Sequence, residues 1–197
     1  MLAKNTQSIK KRYRVNSIYT FNLPKMFSAM RKSVLYINGG GTLIQNATSR
    51  RSLWYYLFTL RLAKFLGNKV DMYGCGIGPV RGERNIRLVK NVLDRSVDTI
   101  TLREKDSMEE LDGFGVKRPE ILLSSDPALV LTPSPDLDVD IYLKKHGLDP
   151  HGRYICFMLR NWQGFESKAA AFAACADNAY QWYGLTPVFL SCLLYTS

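Results

Sequence analysis

Val34-Leu35-Tyr36-Ile37-Asn38-Gly39-Gly40-Gly41-Thr42 is the stretch that decides how the chain reads. Its first five residues are a short apolar run of the kind that forms a buried strand. Three glycines follow. Lacking Cβ, they let the backbone turn sharply and bring bare N–H groups close to a ligand. Thr48-Ser49 then caps a long apolar helix pattern. Strand, glycine loop and helix in this order form a ligand-binding unit. A tight turn without a ligand is the plainer alternative.

Upstream, Met1-Leu2-Ala3 reads as the tail of a strand, Gln7–Arg12 as a short basic helix and Val15–Tyr19 as a strand. Asn22, two residues before Pro24, caps a helix with Leu23, Phe27 and Met30 on one face. Downstream, Leu53, Tyr56, Leu57 and Leu60 form the inner face of the capped helix. Trp54, Phe58 and Leu62 widen that face, which predicts burial on more than one side. Arg61 and Lys64 lie in its last turns, and Gly67 stops it. Lys69–Tyr73 is a strand, and Gly74-Cys75-Gly76-Ile77-Gly78-Pro79 reads as a second glycine loop. Helix Asn85–Asp94, strand Val97–Leu102, helix Lys105–Phe114 and strand Ile121–Leu123 follow.

Strand and helix alternate with short loops, so the expected fold is α/β with a doubly wound parallel sheet. Ligands of such sheets bind outside the carboxyl ends of the strands. The glycine loops, Arg103 and Asp126 all fall there. Residues 1–131 form a Rossmann-like domain on this reading, with its first strand missing. Residues 132–152 form a linker marked by Thr132-Pro133-Ser134-Pro135-Asp136 and Asp149-Pro150-His151-Gly152, with a short helix Val139–His146 between. From 153 to 191 come strand Tyr154–Leu159, loop Arg160–Phe165, helix Lys168–Tyr183 and strand Pro187–Leu190. One strand–helix–strand unit buries too little to stand alone, so a truncated second Rossmann-like domain is expected. Residues 192–197 match the translation of a transposase adapter used in library preparation, and are expected to be a non-native tail.

The 197 residues carry 46% apolar residues and a formal net charge of +10, so a sizeable core is available. No predicted helix gathers the basic residues into one stripe, which argues against nucleic acid. They fit an anionic small substrate or a peripheral membrane contact, and equally a merely soluble basic surface. Four cysteines without C-x-x-C spacing and two histidines speak against a zinc site or a disulfide framework, and for a reducing cytoplasm. Residues 1–20 show no apolar signal core. The most apolar stretch, Leu53 to Leu66, is shorter than a membrane span and contains Arg61 and Lys64.

Gly74-x-Gly76-x-Gly78 invites a dinucleotide reading. However, Pro79 interrupts it, and the next strand ends in Arg103 rather than in an acid that holds ribose. No Gly-Lys-Ser/Thr follows either glycine run. Arg103 either clamps a phosphate or carboxylate through two donors, or pairs with Glu104, Asp106 or Asp126. Asp126 either holds a sugar hydroxyl or caps a turn. Arg160-Asn161-Trp162 suits an anionic ligand lying on an aromatic face, or is an ordinary surface loop. His146 and His151, in linker and turn, read as non-catalytic.

Ile37–Gln45, Ser49–Tyr56, Tyr73–Pro79, Leu102-Arg103-Glu104 with Ser107, and Ser125-Asp126-Pro127-Ala128, in this order, resemble the polysaccharide pyruvyl transferases. The closest likeness is to the bacterial CsaB type, over nearly all of residues 1–191. The resemblance implies a two-domain architecture like that of the GT-B glycosyltransferases, with the active site between the domains. It implies phosphoenolpyruvate as donor substrate, with no further cofactor and no metal. The acceptor would be a sugar hydroxyl pair of a lipid-linked polysaccharide or oligosaccharide, typically N-acetylmannosamine, and the product a pyruvate ketal. The polymer would anchor surface-layer proteins, and the enzyme would work in the cytoplasm at the inner face of the plasma membrane.

By the same resemblance Arg160 is the first anion-binding candidate and Arg103 the second. Gly39, Gly40, Gly41 and Thr42 line the acceptor side of the cleft, with Asp126 as a further contact. The chemistry also requires a general acid at the enol carbon and a base at the sugar hydroxyl. The family's histidine region has no counterpart here, so the general acid is unassigned and the chain alone is expected to be inactive. Two other readings remain open: a GT-B glycosyltransferase using a nucleotide sugar, and a non-catalytic α/β module that binds polysaccharide.

Overall fold

Asparagine caps start the first two helices. Asn5 Oδ1 accepts from Ser8 N–H (3.0 Å) and opens α1 (Thr6–Tyr13), and Asn22 Oδ1 accepts from Lys25 N–H (3.1 Å) and opens α2 (Leu23–Arg31). Two short strands, β1 (Leu2–Ala3) and β2 (Ile18–Tyr19), pair in parallel around α1. The structure is a computed structural model and describes residues 1–159 and 164–191. It divides into two units, Met1–Leu131 and Thr132–Ser197.

The main sheet of the first unit has five strands: β3 (Leu35–Asn38), β4 (Gly41–Ile44), β5 (Lys69–Ile77), β6 (Thr99–Leu102) and β7 (Glu120–Leu123). Every pairing is parallel. β5 pairs with β3 through Lys69–Met72 and with β4 through Cys75–Ile77. The glycine loop therefore does not run toward a helix, as expected, but jogs the chain from one strand to the next. The second glycine stretch is not a loop either: Gly74 to Ile77 continue β5.

The two departures share one cause. Gly74 sits at φ +58° where the β5–β6 register shifts, and Gly41 sits at φ +100° at the start of β4. A Cβ on Gly40 would lie 3.3 Å from the Gly74 carbonyl oxygen. The kinks stand side by side, so adjacent chains bend together and the pairing resumes beyond them.

Three helices link the strands: α3 (Arg50–Phe65), α4 (Glu83–Ser96) and α5 (Lys105–Phe114). Ser49 Oγ accepts from Ser52 N–H (3.3 Å) to cap α3, and Gly115, at φ +72°, closes α5. The core joins Leu53, Leu57 and Leu60 of α3 to Val70 and Met72 of β5, Val89 and Leu93 of α4, Ile100 of β6 and Leu111 of α5. Met26 and Met30 are the buried residues of α2, whereas Leu23 and Phe27 stay outside. Met30 is buried as expected, but Met26 takes the inner position in place of Leu23 and Phe27, and two flexible thioethers make the contact with the core. α3 buries only one face: Trp54 and Phe58 are about half exposed. The apolar pattern was wide enough for two packed sides, but only one is covered.

Asp98 fixes the lower edge of the sheet. Its Oδ2 accepts from Val70 N–H (2.8 Å) and its Oδ1 from Lys64 Nζ (2.5 Å), which ties the end of α3 to β5. In the second unit α6 (Asp136–Lys145) precedes β8 (Tyr154–Leu159), α7 (Ala169–Tyr183) and β9 (Thr186–Ser191), and β8 and β9 pair in parallel. Arg160, Asn161, Trp162 and the expected tail Cys192–Ser197 lie outside the described residues. Among the described residues no helix is long and apolar enough to cross a membrane.

Asp94 ties α4 to the segment that leads into β7. Its Oδ2 accepts from Lys90 Nζ (2.6 Å) and its Oδ1 from the Lys117 and Arg118 amides (2.9 and 3.0 Å). Burial opposes its ionisation, but the Lys90 and backbone hydrogen bonds outweigh it and pull the carboxyl down to about 2. Its folded pKa lies below its unfolded one, so the stabilisation is complete above about pH 4 and is lost as pH falls toward 2. Asp94→Asn should therefore cost about 2 kcal/mol at pH 7 and progressively less below pH 4. Urea unfolding at several pH values checks this, and a pH-independent difference between the two proteins would refute the assignment.

Candidate functional site

Arg103 and Asp126, which follow the carboxyl ends of β6 and β7, meet Thr42, the second residue of β4. Arg103 follows β6, and its N–H donates to the Cys75 carbonyl (3.3 Å). Asp126 follows β7, where its Oδ1 accepts from Ala128 N–H (2.9 Å) and starts a short 3₁₀ turn at Pro127. That cap leaves Oδ2 free to accept from Arg103 Nη1 at 3.0 Å. Arg103 Nη2 lies 3.4 Å from Thr42 Oγ1, and Nε lies 3.8 Å from Glu104 Oε2. Of the two roles open to Arg103, the ion pair is the one formed, with Asp126 and Glu104 as partners. Asp126 both caps its turn and holds the guanidinium.

Buried Ser107 braces this cluster from α5. Its Oγ accepts from Ile77 N–H (2.8 Å) and donates to Glu104 Oε1 (3.0 Å). Gly76 provides the floor: a Cβ there would lie 2.5 Å from Glu104 Oε1 and 2.7 Å from Thr42 Oγ1. At Gly74 a Cβ would collide with the Pro127 ring. Both glycines leave room for the side chains above them. Neighbouring Cys75 is no thiolate, because burial pushes its thiol up to about 11 against a smaller pull from Arg103.

One guanidinium thus stands between two carboxylates, with its side chain 26% exposed. Such a cluster offers fixed acceptors and a hydroxyl to a polar ligand. An anion binding there has to compete with Asp126 for Arg103.

Gly39 and Gly40 face a different space. They border a cavity of about 560 Å³ whose lining includes Asn38, Tyr36, Tyr55 and Tyr56. Asn38 is 4% exposed, and its Nδ2 has no hydrogen-bond partner among the described residues. Tyr55 O–H donates to the Thr20 carbonyl (3.3 Å), and burial, with lesser contributions from Tyr36 and Tyr56, pushes its phenol up to about 12. Gly41 lies between the two regions at the start of β4. The expected glycine-to-threonine surface is therefore divided in two, and Arg160 lies outside the described residues.

Glu104, Ser107 and Asn38 were not among the expected site residues. Spacing offered a signal for the first two, since Glu104 and Ser107 are three apart at a helix start and so share a face. Among the described residues no group of His, Cys, Asp and Glu is placed to hold a metal ion.

The polar side chains of this parallel α/β unit converge at one edge of its sheet, beyond β6 and β7, where ligands of parallel α/β sheets bind. The family model for polysaccharide pyruvyl transferase matches residues 2–191, and the chain belongs to that family. No curated protein and no solved structure gives a significant match.

The packing over Gly76 gives a direct test of the site's geometry. Gly76→Ala should cost about 1–3 kcal/mol, because Glu104 must leave Ser107 to make room. In a Glu104→Ala background the same change should cost about 1 kcal/mol less. Urea unfolding of the four proteins measures this coupling, and simple additivity would show that Glu104 does not lie over Gly76.

Proposed function

We propose that the protein acts in transfer of an enolpyruvyl unit from phosphoenolpyruvate to a hydroxyl pair on a polysaccharide sugar. The observation that carries this reading is the family match over residues 2–191, together with the strand-end cluster Thr42–Arg103–Asp126. In the reaction a proton adds to the enol carbon, and the two sugar oxygens bond to the neighbouring carbon. The phosphate leaves with the second hydroxyl proton, and a ketal remains.

The donor carries a phosphate and a carboxylate, and both favour arginine. Arg160 is the proposed donor contact, since Arg103 is already flanked by Asp126 and Glu104. The Thr42–Arg103–Asp126 cluster suits the acceptor: the Asp126 carboxylate accepts from a sugar hydroxyl, and Thr42 orients it. The proposal includes a GT-B-like pairing of two domains, a lipid-linked cell-wall acceptor and action at the cytoplasmic membrane face. The general acid is assigned to no residue of this chain.

Binding separates this function from its competitors. Phosphoenolpyruvate should raise the melting temperature of the chain, and excess UDP should leave the shift intact. Arg160→Ala should weaken phosphoenolpyruvate by about tenfold or more, the loss of a charge-assisted contact. Asp126→Asn should weaken a sugar acceptor while leaving the donor shift unchanged. Stabilisation by UDP alone would mean a nucleotide-sugar glycosyltransferase. Polymer binding without phosphoenolpyruvate binding would mean a non-catalytic module.

A further inference from the structure

The exposed side of α3 reads Arg51, Trp54, Phe58, Arg61, Phe65, with spacings that alternate between three and four. That spacing keeps all five on one stripe of the helix. Trp54 is 55% exposed, Phe58 48% and Phe65 85%. The parallel outer stripe of α4 is Arg84, Leu88, Asn91 and Arg95. Between the two helices runs an open apolar groove of about 520 Å³, walled by Trp54, Phe58, Leu62, Phe65, Leu88 and Val92.

The charges on α3 and α4 that lack an ion-pair partner among the described residues have one sign. α3 contains no Asp or Glu. On α4, Glu83 is taken by Arg87 and Asp94 by Lys90, and the remaining lysine of α3, Lys64, is taken by Asp98. Arg51, Arg61, Arg84 and Arg95 have no ion-pair partner among the described residues. Large aromatic side chains thus alternate with uncompensated guanidinium groups on a face that no described residue of the first unit covers.

We propose that the α3–α4 face docks on a membrane surface rich in anionic lipid. Aromatic rings enter the boundary between headgroups and acyl chains, while arginine stems lie along the same boundary and their heads meet lipid phosphates. A second copy of the chain fits this face poorly, because a two-fold contact sets the same four arginines against each other. The proposal does not depend on pyruvyl transfer, since neither Thr42, Arg103 nor Asp126 takes part in it.

The test is sedimentation of the full chain with vesicles. With about 30% phosphatidylglycerol in phosphatidylcholine at about 0.1 M salt, the chain should pellet with the lipid, and pure phosphatidylcholine should bind it at least about tenfold more weakly. Arg61→Gln with Arg95→Gln should lower partition by about 25-fold, about fivefold for each charge. Trp54→Ser with Phe58→Ser should lower it by at least about tenfold. Far-UV circular dichroism checks that these surface variants fold. Trp54→Phe keeps the stripe apolar, so it should still partition, but it should lose part of the tryptophan quenching by lipids with brominated acyl chains. Failure of the parent chain to bind anionic vesicles overturns the proposal. So does equal binding by parent and variants, or quenching that Trp54→Phe does not alter. A parent that is dimeric and ignores vesicles, with a monomeric Trp54→Ser/Phe58→Ser variant, would assign the face to a second copy instead.

Discussion

The first unit depends on the alignment of two glycine kinks beside β5. That strand carries β3 along its first half and β4 along its second, on the same edge. A chain that changes from one strand to the next beside a straight neighbour would lose its ladder. Here β5 bends at the same level, at Gly74, and Gly40 packs closely against the bend, where a Cβ would lie 3.3 Å from the Gly74 carbonyl oxygen. The consequence reaches the site. β4 resumes pairing in a register that sets Thr42 opposite Gly76, and Gly76 has no Cβ to keep Thr42 and Glu104 apart. Backbone geometry thus positions a hydroxyl beside a guanidinium that comes from a strand two places along the sheet.

The electrostatics of that cluster limit its chemistry. A guanidinium alone at a strand end would be a phosphate clamp, but Arg103 is held between Asp126 and Glu104. The local charge is one positive group against two negative ones, which repels a strongly anionic ligand such as the proposed donor, phosphoenolpyruvate. The same arrangement favours a neutral polyol, because fixed carboxylate acceptors and a fixed donor need no reorganisation when hydroxyls arrive. Arg103 holds Asp126 in one place, and on the proposed reading the donor's anionic groups would require cations elsewhere.

Local signals were legible and tertiary ones were not. The caps at Asn22 and Ser49 rest on side-chain-to-backbone bonds and the stop at Gly115 on a left-handed glycine with backbone bonds, all within a few residues, so the helices around them begin or end where those residues indicate. β4 was invisible, because Gly41-Thr42-Leu43-Ile44 is short, opens on glycine and exists only by pairing with β5. Arg103 showed three acidic candidates, and only the fold places Asp126 and Glu104 beside it and leaves Asp106 aside. Asn38 looked like the last residue of a strand. That its Nδ2 is buried with no partner among the described residues follows from what surrounds it.

α3 shows the limit of periodicity as an argument. An apolar pattern around most of a helix predicts burial around most of it. In this helix the two apolar faces differ in kind: Leu53, Leu57, Leu60 and Ala63 point inward, whereas Trp54, Phe58 and Phe65 point outward among arginines. Small and aliphatic side chains close-pack against a sheet, while aromatic rings next to cations suit a surface that is apolar at one depth and anionic at another. Position adds to composition. α3 begins six residues after Ile44 ends β4, so the helix with the aromatic stripe is joined by a short connection to the strand that carries Thr42. Docking through that stripe would hold the strand-end cluster within a fixed reach of the bilayer. The lipid-linked acceptor of the proposed function would then meet the cluster without leaving the membrane, and the search for it would become two-dimensional.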